Sequence, residues 1–163
     1  LVTGGSDGSV KVWDITREIP SKQHERVIKP LRDIHSVKGK EYISQVAFVD
    51  KETIVFATTG GHLWEVSNVH LQEWTWNCVF ADTESNFQAL GLCPDKKRCI
   101  MGDLQGNCYI LDLRTRLVRV KWAAHDHRLV LVALWEHVNQ EFAFTSSVDA
   151  SILRWDVSST SES

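Results

Sequence analysis

The 163-residue chain lacks several things, and each lack narrows the field. It has no long apolar run. The longest, Leu129 to Trp135, is far shorter than the roughly 20 residues that cross a bilayer as a helix. No signal-peptide pattern is present either, so no membrane partner is expected. Its four cysteines, Cys78, Cys93, Cys99 and Cys108, include no C-x-x-C pair and have no paired histidines at zinc-finger spacing. Neither a metal module nor a disulfide framework is expected, and scattered cysteines of this kind suit the reduced side chains of an intracellular protein, cytoplasmic or nuclear. There is no large charge excess. A net charge of −3 argues against a globally basic nucleic-acid binder and leaves room for a local basic patch. The only methionine is Met101 and position 1 is Leu, which reads as a processed or trimmed N-terminus or a piece of something longer. No segment carries a convincing 3.6-residue apolar period with caps, so little helix is expected.

What the chain does have is tryptophan, seven of them, and a rhythm that places them. Asp7-Gly8-Ser9-Val10-Lys11-Val12-Trp13-Asp14-Ile15 matches Asp149-Ala150-Ser151-Ile152-Leu153-Arg154-Trp155-Asp156-Val157. In both, Trp lies six residues after the first Asp, and Thr (Thr3, Thr145) lies four before it. Two weaker copies lie between. Thr58-Thr59-Gly60-Gly61-His62-Leu63-Trp64-Glu65-Val66 keeps Thr, Trp and an acid. Gln105-Gly106-Asn107-Cys108-Tyr109-Ile110-Leu111-Asp112-Leu113 keeps the acid, with Leu111 in the Trp position. The anchors at 13, 64, 111 and 155 are 51, 47 and 44 residues apart, a period that belongs to repeat architectures. Short β-type runs fill the intervals: Tyr42–Phe48, Thr53–Thr58, Phe87–Leu92, Cys99–Gly102, Leu117–Trp122, Leu129–Trp135 and Phe142–Ser146.

These copies resemble the WD40-repeat family, whose repeats form four-stranded propeller blades. The resemblance implies an all-β propeller segment over residues 1–157, of about three and a half blades and forming part of a larger ring of about seven. A half repeat would span 1–24, and repeats would span about 25–66, 67–113 and 114–157, followed by a polar Ser-rich tail, 158–163. The first copy would enter at the second strand of a blade and the last would end after the third. Open sheet edges would remain, to be covered by completing blades from a longer parent chain or another subunit.

His125, Thr145 and Asp149 look like a catalytic base, nucleophile and orienting acid. The WD40 resemblance implies a structural network in their place: Asp149 accepts from the ring of His125, His125 bonds the Thr145 hydroxyl, and Thr145 accepts from the Trp155 indole. Thr3, Asp7 and Trp13 are the corresponding members in the first copy. No catalytic, cofactor-binding or metal-binding residue is expected, and no enzyme activity. Gly4-Gly5-Ser6-Asp7-Gly8 lacks the Gly-Lys-Ser/Thr of a phosphate loop and reads as a hairpin turn. His35 and His62 read as solvated or backbone-bonded. His125 and His127 flank Asp126 but lack further metal ligands.

The expected function is a non-catalytic scaffold or adaptor whose loops bind protein or peptide partners in a complex. Candidate contacts lie in two segments. The connection 16–40 is rich in Lys22, Arg26, Lys29, Arg32, Lys38 and Lys40, with an outer strand expected at Glu25–Leu31. It offers the alternative of nucleic-acid or nucleoprotein binding. The second segment, His70–Trp76, carries Trp74 and Trp76 two residues apart, so both lie on one strand face, which either packs against the neighbouring blade or forms an aromatic patch. The Leu111-Asp112-Leu113-Arg114 stretch is similar to the W-D-x-R ending of WD40 substrate receptors of cullin-4 ubiquitin ligases, with Leu in place of Trp. That offers a further alternative, a ligase substrate receptor, and carries over no DNA-contacting residue.

Overall fold

Alternating apolar side chains between short turn signals produce fourteen β-strands and no α-helix among the described residues. The computed structural model describes residues 1–15, 30–35, 41–71, 73–138 and 140–158. The strands form four antiparallel sheets in chain order. The first holds β1 (Val2–Gly4), β2 (Ser9–Val12) and β3 (Arg32–His35). The second holds β4 (Ile43–Phe48), β5 (Ile54–Thr58), β6 (His62–Ser67) and β7 (Thr75–Ala81). The third holds β8 (Phe87–Leu92), β9 (Arg98–Asp103), β10 (Asn107–Asp112) and β11 (Leu117–Ala123). The fourth holds β12 (Leu129–His137), β13 (Gln140–Ser147) and β14 (Ile152–Asp156). Relative to the two complete sheets, the first lacks its opening strand and the fourth its closing one.

Each sheet is a meander, so within a sheet strands that are neighbours in sequence are neighbours in space. Successive sheets touch through their first strands. β12 packs on β8 and β9, β8 on β4 and β5, and β4 on β1 and β2. That stacking makes an arc of propeller blades with the first strands innermost.

Three apolar cores fill the three gaps between sheets. Val10, Val12 and Ile34 meet Ile43, Ile54 and Phe56. Val55, Ala57, Leu63 and Val79 meet Phe87, Cys99, Met101 and Leu111. Ala89, Ile100, Cys108 and Ile110 meet Leu129, Val132, Leu134 and Ala143. The two faces of a middle strand serve two different cores: Ile54 and Phe56 point one way, Val55 and Ala57 the other. Strand β5 is therefore apolar from Ile54 to Ala57 and buried along its whole length.

The outer strand of the first sheet is a correction. It was expected at Glu25–Leu31 but lies at Arg32–His35, with Val10 opposite Ile34. Pro30 has no N–H to give a ladder, and Leu31 leads into the strand with its N–H on Val12 O at 2.7 Å. Residues 25–29 lie outside the described residues, as do Lys22, Lys38, Lys40 and the tail beyond Ser158.

Candidate functional site

The turns between second and third strands lie at one end of the arc, beside the segments that link one sheet to the next. Two glycines fix this contact. Gly61 and Gly106 have φ of +79° and +93°, a region open to glycine. A Cβ at Gly106 would stand 2.0 Å from His125 O, and one at Gly61 1.9 Å from Asp82 O. Gly106 O accepts the backbone N–H groups of Ala124 (3.0 Å) and His125 (3.1 Å), and Gly61 O accepts that of Asp82 (2.9 Å). This end of the molecule is thereby tied down loop by loop.

On the fourth sheet this tie delivers His125 to the buried side of Thr145. The Trp155 indole N–H donates to Thr145 Oγ1 at 2.9 Å, and Thr145 Oγ1 lies 2.8 Å from His125 Nε2. His125 Nδ1 lies 2.9 Å from Ser151 Oγ and 3.3 Å from Asp149 Oδ2, and Ser151 donates to Asp149 Oδ1 at 2.6 Å. The proton directions follow from the inventory of donors. Ser151 gives its one hydroxyl proton to Asp149 Oδ1, so Nδ1 donates to Ser151 and Nε2 accepts from the Thr145 hydroxyl, whose oxygen accepts from the indole. Nδ1 therefore carries the ring proton and gives it towards Ser151 and Asp149. The hydroxyl of Thr145 and the imidazole are both fully used, and both residues are buried. The buried hydroxyl oxygen already accepts from the Trp155 indole. The Ser151 hydroxyl and backbone N–H, then the His125 ring, hold the Asp149 carboxyl down at about 2.

The structure brings together all four residues the sequence pointed to and adds Ser151, whose counterpart is Ser9. In the first sheet Trp13 Nε1 donates to Thr3 Oγ1 at 2.8 Å, and Asp7 Oδ1 accepts from Ser9 N at 3.0 Å and Ser9 Oγ at 2.7 Å. The hairpin expected at Gly4–Gly8 is there, closed by Gly5 N–H to Ser9 O at 2.9 Å.

The middle sheets solve the same position differently. In the second, Glu41 takes the place of the histidine. Thr58 donates to Glu41 Oε2 at 2.7 Å, and His62 Nδ1 lies 3.1 Å from the same oxygen. His62 thus has a carboxylate partner rather than the solvent or backbone expected of it. The Trp64 N–H, which would have used the Thr58 hydroxyl, is buried without a hydrogen-bond partner. In the third sheet the register places Met101 opposite Tyr109 and Leu111 two residues on, so Met101 and Leu111 replace Thr and Trp together. Both are fully buried and need no polar partner. Polar atoms move elsewhere: the Tyr109 hydroxyl donates to Asp103 Oδ2 at 2.9 Å and lies 2.8 Å from Ser85 Oγ. Asp103 also accepts from the backbone N–H groups of Gln105 (2.9 Å) and Asn107 (2.8 Å). The sequence signal for this set was weak, because Asp103 lies outside the repeat's Thr-to-Asp spacing.

The two candidate interaction segments are placed unequally. Of the basic group, Arg32 is described. Its guanidinium donates to Leu31 O at 3.1 Å and His70 O at 3.4 Å. Lys22, Arg26, Lys29, Lys38 and Lys40 lie outside the described residues. Trp76 lies within β7 and meets Phe56 edge-on at 5.8 Å and Trp64 at 6.4 Å. Trp74 precedes the strand, and both tryptophans are half-buried against the first core. This is the packing alternative of the two read from the sequence.

Among the described residues one group of metal-type donors converges, Cys93, Asp95 and Glu136. Arg98 already occupies it, bonded to Asp95 and Glu136 and reaching Glu141 Oε2 at 2.7 Å. Burial pushes the Cys93 thiol up to about 12. Together these make an ionic clamp between the third and fourth sheets, not a metal cradle. All four cysteines are free, and Cys78 alone is exposed.

Solved structures resemble this arc over 96% of the chain. One is the β-propeller domain of Cps50 (Swd1) from Myceliophteria thermophila, with a TM-score of 0.71 at 12% identity. Another is the computationally designed Ika8 protein, with a TM-score of 0.66 at 19% identity. The chain spans 50% of the first and 42% of the second, half their length or less. No family model and no curated protein matches the sequence. The fold is that of part of a β-propeller.

Proposed function

We propose that the chain is a WD40-type propeller segment acting as a non-catalytic interaction platform for protein or peptide partners. The observation that carries this reading is the loop end of the arc. Its turns are pinned by Asp7–Ser9, Asp103–Asn107 and Asp149–Ser151 hydrogen bonds, so their shape is fixed before any partner arrives. On that fixed frame Tyr42, Leu104, Val130 and Val148 stand exposed, one or two from each of the last three sheets. Pinned backbone with solvent-facing apolar side chains is what a binding surface needs and what a catalytic centre does not. The reading of no enzyme activity rests on the filled Thr145–His125 network. WD40 membership rests on the Thr–His–Asp–Trp set and the repeat spacing.

Nucleic-acid binding remains the competing class, and it rests on the basic 16–40 connection. The test compares the chain with a Leu104→Glu/Val148→Glu variant in quantitative co-purification from cells. Partners lost from the variant, with its melting unchanged, support the platform. Partners retained equally by the variant would overturn the choice of surface. Recovery of nucleic acid, with affinity falling steeply as salt rises, would move the function to the basic connection.

A further inference from the structure

Every antiparallel meander has two ends. The loop end holds the turns between second and third strands; the far end holds the turns between first and second strands and between third and fourth. At the far end of the third sheet two turns stand side by side, residues 93–97 between β8 and β9 and residues 113–116 between β10 and β11. The Leu113 N–H donates to Lys97 O at 2.8 Å and joins them. They carry Lys96, Lys97, Arg114 and Arg116, all exposed. The neighbouring acids are committed to other cations. Asp95 Oδ2 accepts from Arg98 at 3.1 Å, and Asp112 Oδ2 accepts from Arg119 at 2.8 Å. Among the described residues no carboxylate pairs with the remaining four cations, so a concentrated positive patch sits on a chain whose net charge is −3.

Beside this patch an open groove of about 840 Å³ lies between the far ends of the second and third sheets. Phe48 and Val49, half-buried where β4 turns into β5, supply its apolar part, and Lys51, His70 and Lys96 are exposed along it. His70 Nε2 donates to Lys51 O at 2.6 Å, which holds the ring in place. Of the two acids along the groove, Asp50 is engaged by the N–H groups of Glu52 (2.7 Å) and Thr53 (2.8 Å), which leaves Glu52 against the cations. The groove falls within the roughly 300–1,000 Å³ of recognition clefts. Among the described residues no exposed Phe, Tyr or Trp lines it, so a nucleic-acid base has nothing to stack on, whereas an aliphatic side chain suits Phe48 and Val49. We propose that this groove is a second docking surface, distinct from the loop end, and that it takes an acidic peptide segment of a partner protein. An apolar side chain of the segment rests on Phe48 and Val49. The carboxylates flanking it meet Lys51 on one side and Lys96, Lys97, Arg114 and Arg116 on the other.

The test is fluorescence anisotropy of a labelled peptide, a leucine flanked by runs of aspartate and glutamate, titrated with the chain at low ionic strength. The variant Lys96→Asn/Arg116→Asn removes two charges at positions with φ of +56° and +61°, a region that asparagine adopts more readily, so its β-type melt is expected to be retained. Its affinity for the peptide is expected to be about five- to tenfold lower than the parent's. Replacing the peptide's leucine by serine is expected to weaken binding to the parent about tenfold. The loop-end variant Leu104→Glu/Val148→Glu is expected to bind the peptide as the parent does. A parent chain that does not bind, or an asparagine variant that binds equally well, would overturn the proposal. So would indifference to the leucine, or an oligonucleotide of equal charge bound as tightly as the peptide, since either would make the patch a surface for phosphate backbones. Loss of binding in the loop-end variant would place the peptide at the other end of the arc and overturn it too. The loop-end platform stands or falls separately, since Lys96 and Arg116 are remote from Leu104 and Val148 along their strands.

Discussion

Replacing Thr145 by Val keeps the shape of the side chain and removes one hydroxyl. Two buried groups lose their partner at once: the Trp155 N–H, 2.9 Å away, and His125 Nε2, 2.8 Å away. A buried polar group left unpaired costs about 1–3 kcal/mol. The pair together should cost about 2–4 kcal/mol, after allowance for the Trp155 indole being only half-buried. In a chain of this size each kcal/mol moves the midpoint by about 2–4 °C, so Thr145→Val should melt roughly 5–15 °C lower. The first sheet supplies the control. Thr3 accepts from Trp13 in the same geometry, at 2.8 Å, but Thr3 is exposed and, among the described residues, no histidine joins it. Water can replace the lost acceptor there, so Thr3→Val should cost about 0.5–1 kcal/mol. Thermal circular dichroism of the two variants side by side measures the difference. Equal shifts, or a Thr145→Val midpoint within about 2 °C of the parent, would refute the network as a stabilising unit.

The Asp149 carboxyl, held at about 2 against an unfolded value near 4, stabilises the fold at every pH above the unfolded value and loses that contribution as pH falls through the folded one. Asp112, held at about 2 by the Thr115 backbone N–H and by Arg119, acts in the same sense. Melting points taken every half unit should fall between about pH 4 and 2, and the fall should be shallower in Asp149→Asn. Gly106→Ala would force a side chain into the left-handed region and its Cβ onto His125 O, so a loss of about 2 kcal/mol or more in urea unfolding is expected; an unchanged midpoint would contradict the loop tie. A thiol reagent near pH 8 should label Cys78 alone in the folded chain and all four cysteines in denaturant, because Cys93, Cys99 and Cys108 are buried. Rapid labelling of more than one native thiol would mean that the cores open.

The fold was legible wherever side-chain spacing alone decides the outcome. Val55 and Ala57 against Ile54 and Phe56 mark a strand buried on both sides, and the runs at Phe87–Leu92 and Phe142–Ser146 lie within a residue or two of their observed strands. The outer strands were harder to read. Leu117–Trp122 was read to within a residue of β11, but where an outer strand carries little apolar pattern, as at β3, its position follows from the partner strand rather than from its own residues. That is why β3 was expected several residues too early. Loop contacts across long sequence gaps were illegible for another reason. Glu41 meeting Thr58 and His62 depends on how the linking segment folds back over its own sheet, and Arg98 meeting Glu136 and Glu141 on how far apart two sheets stand; no local pattern encodes either distance.

The third sheet separates what builds a blade from what fastens it. Met101 and Leu111 take the places of Thr and Trp, yet β8 to β11 form the same four-stranded meander as β4 to β7. The hydroxyl–indole–imidazole set is therefore not needed to make a blade; strand pattern and turn chemistry suffice. Its loss in the third sheet involves both partners together, as it must. A Thr there without its Trp could still bond elsewhere, but a buried Trp N–H without the Thr stays orphaned, as Trp64 is where the Thr58 oxygen accepts from the His62 backbone N–H instead. The network belongs to the loop end instead. On the fourth sheet it fixes His125, and with it the linking segment that runs beside Asp149 and Val148. The residues that most resembled a catalytic triad thus hold still the loops on which the proposed interaction surface rests.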